Sequence, residues 1–598
     1  MPPKSPVDIS DPTLSLTILV NGNPIKNWYP VTKVNISHEV NRISYAEIVI
    51  LDGDLKNSSF PLSDSTEFVP GNEIEIKAGY TSVLPVSIFK GLIVKQGIKI
   101  GSSPAFSMVV TCKHKAVGMT FDKKEAEFSS LTDSDIINKI IGTYGITCTI
   151  KSTSISQETV FQKLATDWDF ILARAEFYGQ IVTLDGDAIT IGEPKFDTEP
   201  VLRVATGESI RSFSADINAE KQATGIDASA WDIKNQALLI TSAEEPTVNA
   251  QGNLNGKSLS EKLSQGKLTL NSCIPMVQEE LKAWADGSLL KMRFAAIKGE
   301  VGFIGNGTVI PGSIIELAGV GARFNGKAFV TAVNHVIENS DWTTTVKFGL
   351  ENTPVSDKPN FSYPAASGQL PAIQGLQIGT VKKLFDDPEG QYRILINLAS
   401  TAESTDGIWA RLANFYSTSG FGANFLPEIG DEVIIGFLEA NPRYPVILGS
   451  LYSNARQTPC PAKDDNNYIK SLSTKSDLKI SFDDEKKITK IETPAGNIIT
   501  MSDDAKSIEL TDQNGNKIKM TSSGISMETP KDVTIEATGN INLNATGKIN
   551  LTAQQDVAVS GLNISNTANV GFTAKGNATA ELSASGQTTV KGGIVMIN

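Results

Sequence analysis

Histidine is almost missing from this chain: its 598 residues include three, His38, His114 and His335. So far apart in sequence, they form no H-E-x-x-H pair and no close cluster, and no metal centre is expected of them. Cysteine is nearly as scarce. Cys112, Cys148, Cys273 and Cys460 are too widely spaced for a metal knuckle and too few to staple a chain this long, so buried, reduced thiols are expected. Basic charge is also in deficit, and a net charge of -13 argues against nonspecific binding to nucleic acid or anionic lipid. No apolar run reaches the roughly 18 residues of a membrane span, so no stable membrane anchor is expected. The start, from Met1 to Asp8, lacks the basic and apolar stretches of a secretory signal, which predicts assembly in the cytoplasm and export by other means. Catalytic signatures are missing too. Gly252 to Ser258 resembles the end of a phosphate-binding loop, but three residues separate its glycines where four are needed. There is no G-x-S-x-G, and the paired acids Asp483-Asp484 and Asp503-Asp504 read as solvated turn faces. The expected partner is protein, and no cofactor is expected.

What is present is β-sequence. The length suits about three to five domains. Apolar and polar residues roughly alternate from Leu14 to Val20 and from Val34 to Leu51, with turns at Asn21-Gly22-Asn23-Pro24 and Asp52-Gly53-Asp54. Two helices are predicted within this pattern. Thr132 to Asp135 resembles a capping box ahead of Ile136, Ile137, Ile140 and Ile141, with a stop at Gly142. Val160, Leu164, Trp168, Ile171, Leu172 and Ala175 recur at helical steps and read as one apolar face that closes before Gly179. β-signals resume from Leu202 to Leu350. Four prolines, Pro354, Pro359, Pro364 and Pro371, then mark a linker.

The C-terminal region is periodic. Ile508/Leu510 and Ile518/Met520 recur at ten residues, and then the period becomes eight. Ile525/Met527, Val533/Ile535, Ile541/Leu543, Ile549/Leu551 and Val557/Val559 form five successive pairs, after which the register slips to Leu562/Ile564. Residues two apart share one face of a strand, so each pair can point inward and build a needle core. A sheet this narrow cannot bury that face by itself. Three chains wound together would close the core and remove free edges, which predicts a trimeric β-helix; a single-chain solenoid is the other arrangement the period allows.

The most specific text lies between Gly407 and Tyr452, in a segment whose length and β-pattern suit a five-stranded OB-fold barrel. It contains Trp409 and Arg411, then Gly422, Phe425, Pro427, Gly430, Asp431 and Glu432, then Pro442, Pro445 and Gly449. Pro427 and Gly430 frame a turn, Pro442 and Pro445 stiffen a connection, and Trp409 and Phe425 are expected in the core. In this order the segment resembles the VgrG spike family of type VI secretion, and the related spikes of phage tails and extracellular contractile injection systems. Asp167 to Glu176 is similar to a stretch of that family's base.

The resemblance implies a mainly β homotrimer with phage-hub-like β-barrels and inserted helices, an OB-fold barrel and a C-terminal triple-stranded β-helix. The corresponding divisions are a base at 1–365, the barrel at 366–455 and a needle at 456–598. It further implies that two barrels per chain face an inner tube hexamer, that baseplate proteins and effectors are partners, and that Ile594, Val595, Met596, Ile597 and Asn598 form a blunt end for a PAAR-type tip protein. The implied function is a structural spike joining the tube of an injection particle to its puncturing tip. The alternative is a β-helical enzyme that degrades cell wall or polysaccharide.

Overall fold

The computed structural model describes residues 3–597 apart from 55, 102–105, 359, 360, 362, 363 and 401–405. Asn598 and Pro359 lie outside the described residues. The chain divides into two compact units, Met1–Leu451 and Tyr452–Asn598.

In the first unit the alternating apolar residues become strands with one buried face. In Tyr45–Leu51, Ala46, Ile48 and Ile50 are buried while their neighbours point outward. Such strands join in a thirteen-stranded sheet whose centre is the antiparallel pairing of Gly326–Glu338 with Val31–Glu39. To one side, strands between Leu14 and Lys113 pack around Ile36, Ile48, Ile76 and Met108. To the other, Ile210–Ile217, Ile297–Ile304 and Asp341–Phe348 pack around Val301, Phe303, Val330 and Phe348. These two lobes, each with its own core, share one continuous sheet.

Helix α1 (Asp133–Gly142) opens where its cap predicts. The Asp135 N–H donates to the Thr132 hydroxyl at 3.3 Å, and Ile136, Ile137, Ile140 and Ile141 are buried. Helix α2 (Asp167–Phe177) is shorter than its apolar spacing suggests. Val160 and Leu164 belong instead to the strand Ser156–Thr166, which pairs with Lys123–Thr132 and carries an irregularity beside Leu164. Thr166 is the true cap, accepting the Asp169 N–H at 3.0 Å, so helical geometry cannot extend upstream of it.

The stretch from Leu202 to Leu350, expected to be mostly β, contains two further helices, α3 (Gly256–Lys262) and α4 (Gln278–Phe294). Leu281, Ala285, Leu289 and Met292 of α4 cover a small sheet, around Ala228 and Ala230 of its strand Ile226–Asp232. The strands Gln377–Lys383, Ile394–Leu398, Ile408–Leu412, Glu432–Phe437 and Pro445–Ser450 close into a barrel around Val381, Ile396, Ala410, Val433 and Ile447.

The second unit begins with seven antiparallel strands joined in sequence, from Ile469–Ser473 to Gly524–Glu528. From Lys531 to Ile597 the chain forms neither helix nor strand and every residue is exposed. The residues expected to form the needle core are therefore not buried in the single chain. Ile535 is 70% exposed, Leu543 67% and Leu551 74%, and Val533, Ile541, Ile549, Val557 and Val559 are exposed with them. The physical reason is that an extended segment unpaired with any other strand has no layer to pack its apolar side chains against. Bends punctuate the segment at eight-residue intervals, at 538–539, 546–547 and 554–555, and recur at 569–570, 577–578, 585–586 and 593–594. Beyond Val559, where the apolar pairs lose register, the eight-residue spacing of bends resumes from 569 one residue out of step with the earlier bends.

Candidate functional site

The barrel motif consists of residues that make turns and close approaches. Trp409 and Arg411 are on the outer face of Ile408–Leu412 because the intervening Ala410 occupies the interior. Trp409 is therefore half-buried at the surface and not in the core. Phe425 departs further from expectation: it is 55% exposed, on the loop between Leu412 and Glu432. That interior is already filled by aliphatic side chains from the strands, leaving the loop outside it. On the same loop Gly422 makes a bridge with Ser417, and a Cβ there would meet the Tyr416 carbonyl oxygen at 2.7 Å. Pro427 is buried. Gly430, at φ +83°, donates its N–H to the Val381 carbonyl at 2.8 Å. Asp431 caps that turn by accepting the Glu428 N–H on Oδ2 at 2.8 Å. Glu432 opens the next strand opposite Thr380. Pro442 follows buried Asn441, Pro445 is buried opposite Phe437, and Gly449 pairs with Ile434 beside a register shift.

Sequence reasoning missed what this loop displays. Phe415, Tyr416 and Phe421 are exposed along with Phe425, and the Tyr416 and Phe421 rings meet edge to face at 6.2 Å. The signal was the density of aromatics between Phe415 and Phe425 in turn-prone sequence, a pattern more typical of a binding surface than of a solvated loop.

The seven-stranded sheet of the second unit has two unlike faces. Along one, Leu472, Ile480, Ile491, Ile499, Leu510, Ile518 and Met527 stand opposite one another from strand to strand. A second row on this face runs from Lys470 through Phe482, Thr489, Met501, Ile508, Met520 and Ile525. The other face is mostly polar, with Glu509 bridged to Lys517 at 2.7 Å and to Lys519 at 3.2 Å, although Ile469, Ile488 and Ile498 lie on it. The apolar face is uncovered: Phe482, Met501, Met520, Ile525 and Met527 are all exposed, so Ile525 and Met527 share the open state of the pairs that follow them. Ile594, Val595, Met596 and Ile597, at the far end, are exposed as well.

No group of three or more His, Cys, Asp or Glu able to hold a metal occurs among the described residues. Nor is any described helix long and apolar enough to cross a membrane. The near-miss phosphate loop serves the local backbone, where Asn255 caps α3 by accepting the Ser258 N–H at 2.8 Å. What this geometry offers is surface, an uncovered apolar sheet and an aromatic loop.

Residues 377–452 match the family described as the type VI secretion system/phage-baseplate injector OB domain. A Pseudomonas aeruginosa type VI secretion system spike protein, VgrG1b, is 28% identical over 131 residues, 20% of this chain and 18% of the relative. The match thus spans about a fifth of that relative's length. Among solved structures, the prophage MuSo2 43 kDa tail protein from Shewanella oneidensis aligns at 10% identity over 57% of this chain and 99% of its own, with a TM-score of 0.42. The Francisella PdpA-VgrG complex aligns at 9% identity over 87% of this chain and 88% of its own, with a TM-score of 0.40. Residues 10–339 match the model described as the Alg8 N-terminal domain, more than half of the chain. The chain accordingly belongs to the Alg8 N-terminal domain family, carries an injector OB domain, and resembles the VgrG-type spike proteins.

Proposed function

We propose that the chain acts mechanically, as the structural spike of a contractile injection system, and that three copies assemble into one needle. The observation that carries this reading is the uncovered apolar face from Leu472 to Met527, followed by the eight-residue sawtooth of exposed apolar pairs. An antiparallel sheet tolerates water on one face, but an apolar second face needs a cover. A single-chain solenoid would pair successive turns within the chain, and no such pairing occurs among the described residues from 531 to 597. Three chains related by rotation would supply the cover and the missing hydrogen-bond partners together, and would bury Ile535, Leu543 and Leu551, which one chain leaves in water.

In this reading the base meets a six-fold inner tube and baseplate proteins, the barrel joins base to needle, and the end at Ile594 to Ile597 receives a separate PAAR-type tip. Effectors ride on the particle. The protein is assembled in the cytoplasm and becomes part of a secreted injection particle. Its activity breaks no covalent bond, and the divisions at 365 and 455 separate its mechanical parts. The enzyme alternative has no observation in its favour. Light scattering on the full chain, and on a chain ending at Leu451, tests the assembly. A mass of three chains that falls on truncation supports it, and a monomer in both forms overturns it.

A further inference from the structure

The three histidines, so widely separated in sequence, line one cavity of about 90 Å³ within the base. His38 and His335 project from the same face of adjacent strands, since His38 stands opposite Val333 and His335 opposite Ile36. His114 follows the strand Phe106–Lys113 and caps the short turn Lys115–Thr120. Three parts of the base converge on this cavity: the strand Val83–Ile100, the turn between Ile181–Asp185 and Ala188–Gly192, and the loop at 305–311. Packing at the seam is tight, because a Cβ on Gly307 would lie 2.4 Å from Val86 and 2.9 Å from Ile88.

The hydrogen bonds are compatible with neutral rings and disfavour the second proton most clearly at His114. His38 Nε2 donates to the Ile88 carbonyl at 2.8 Å, leaving Nδ1 to accept the Ser44 hydroxyl at 2.9 Å. His335 Nδ1 lies 3.0 Å from the Thr344 hydroxyl and also accepts the indole N–H of Trp342 at 3.3 Å, and His114 Nδ1 accepts the Ala116 N–H at 3.0 Å. A backbone N–H can only donate, so a second proton on His114 meets a donor where it needs an acceptor, while one on His335 would face the Trp342 indole N–H and compete for a Thr344 hydroxyl that already accepts the Asn306 N–H at 2.9 Å. His114 Nε2 is buried without a partner at hydrogen-bonding distance, although the Gly186 carbonyl is close enough to favour its proton.

Nearby charges do not reverse this. Asp185 faces His38, and Asp187 faces His114 but is tied to Lys90 and Lys115, the latter also paired with Glu73 at 2.8 Å. Beyond Trp342, Arg211 and Asp341 pair at 2.7 Å. Burial outweighs the carboxylates: it lowers His38 below the ordinary 6.5, His114 to about 4 and His335 to about 3.

We propose that this cavity is an acid-operated latch: the uncharged rings hold the 185–187 turn and the 305–311 loop against Val83–Ile100, and proton uptake parts them. The closed form binds these protons less tightly than an exposed ring does. Its advantage is complete above pH 6.5 and is lost as pH falls from 6.5 toward 4, and toward 3 for His335. Within that window opening grows by about tenfold per pH unit for each histidine that titrates.

Hydrogen exchange on the full-length chain at pH 7.5 and 5.0, corrected for the intrinsic pH dependence of exchange, tests the latch. Peptides covering 84–90, 184–190 and 305–311 are expected to lose protection by about tenfold or more, with the barrel at 377–450 unchanged. Unchanged protection at pH 5.0, or uniform loss across the whole base, overturns the proposal. Because histidine variants risk misfolding, the second readout uses the native protein with ring-labelled histidine: His114 and His335 resonances titrating well below pH 6, with His38 below 6.5, support the latch, and any at or above 6.5 overturns it.

Discussion

Asp133 is the first residue of α1, and its carboxylate joins α1 to α2. It accepts Arg174 Nε at 2.5 Å and Nη2 at 2.7 Å, and the Tyr178 hydroxyl at 2.8 Å, with its side chain 1% exposed. Asp133→Ala strands a guanidinium inside the protein, for which a loss of about 3–5 kcal/mol is expected in urea unfolding. The control is Arg203→Ala, whose pair with Glu208 is 38% and 42% exposed; it is expected to cost less than about 1 kcal/mol. Glycines give a second contrast. A Cβ on Gly287 of α4 would lie 2.7 Å from the Gly179 nitrogen and 2.9 Å from the Phe177 carbonyl oxygen, backbone that cannot step aside. At Gly142, the last residue of α1, a Cβ would meet nothing within 4 Å. Gly287→Val is expected to lower stability by about 1–3 kcal/mol, and Gly142→Ala to raise it by about 0.5–1 kcal/mol, both read as shifts in the unfolding midpoint. A reversed sign at either position contradicts the packing described.

At the scale of elements, the needle sheet supplies the sharpest test. Leu510 stands between Ile499 and Ile518 on the uncovered face, while Glu509 beside it points to the polar face. Leu510→Lys leaves the single-chain sheet intact but places a charge in any closed core built on that face, at a cost of several kcal/mol per chain. The expected result is a fall in native mass, whereas Thr500→Lys, opposite Glu509, leaves the mass unchanged. Much at this scale was legible beforehand. The period-two alternation marks the strands, the cap at Thr132 marks α1, and the Gly and Pro positions of the barrel mark its turns. Helix α4 escaped because Ala285 and Gly287 thin out its apolar face, although Leu281, Leu289 and Met292 keep helical spacing. Val160 and Leu164 misled for the opposite reason: strand spacing can coincide with a helical step over a few residues, and the cap at Thr166 decides between them. Trp409 and Phe425 show a further limit. Aromatic character does not tell which side of a barrel wall a residue occupies, and the histidine cavity depends on strand pairings invisible in linear order. The pairs at Ile535, Leu543 and Leu551 show another, because a periodic apolar pattern says that a face wants cover and not whether its own chain provides it.

Across the whole molecule, burial is unevenly divided. Every cluster of fully buried apolar residues lies between Ile18 and Ile447, inside the first unit. The second unit has a seven-stranded sheet with one open apolar face and a long exposed repeat. The two units are therefore expected to respond differently to dilution. A chain ending at Leu451 draws its stability from its own cores, so its thermal midpoint stays fixed across a hundredfold change in protein concentration. The fragment 452–598 gains its core from association, and its midpoint should rise with concentration because mass action favours the assembled form. Differential scanning calorimetry at both ends of that range separates the cases. A midpoint of the fragment independent of concentration would mean that the chain covers its own apolar face, and the trimeric needle would have to be abandoned for a self-contained solenoid.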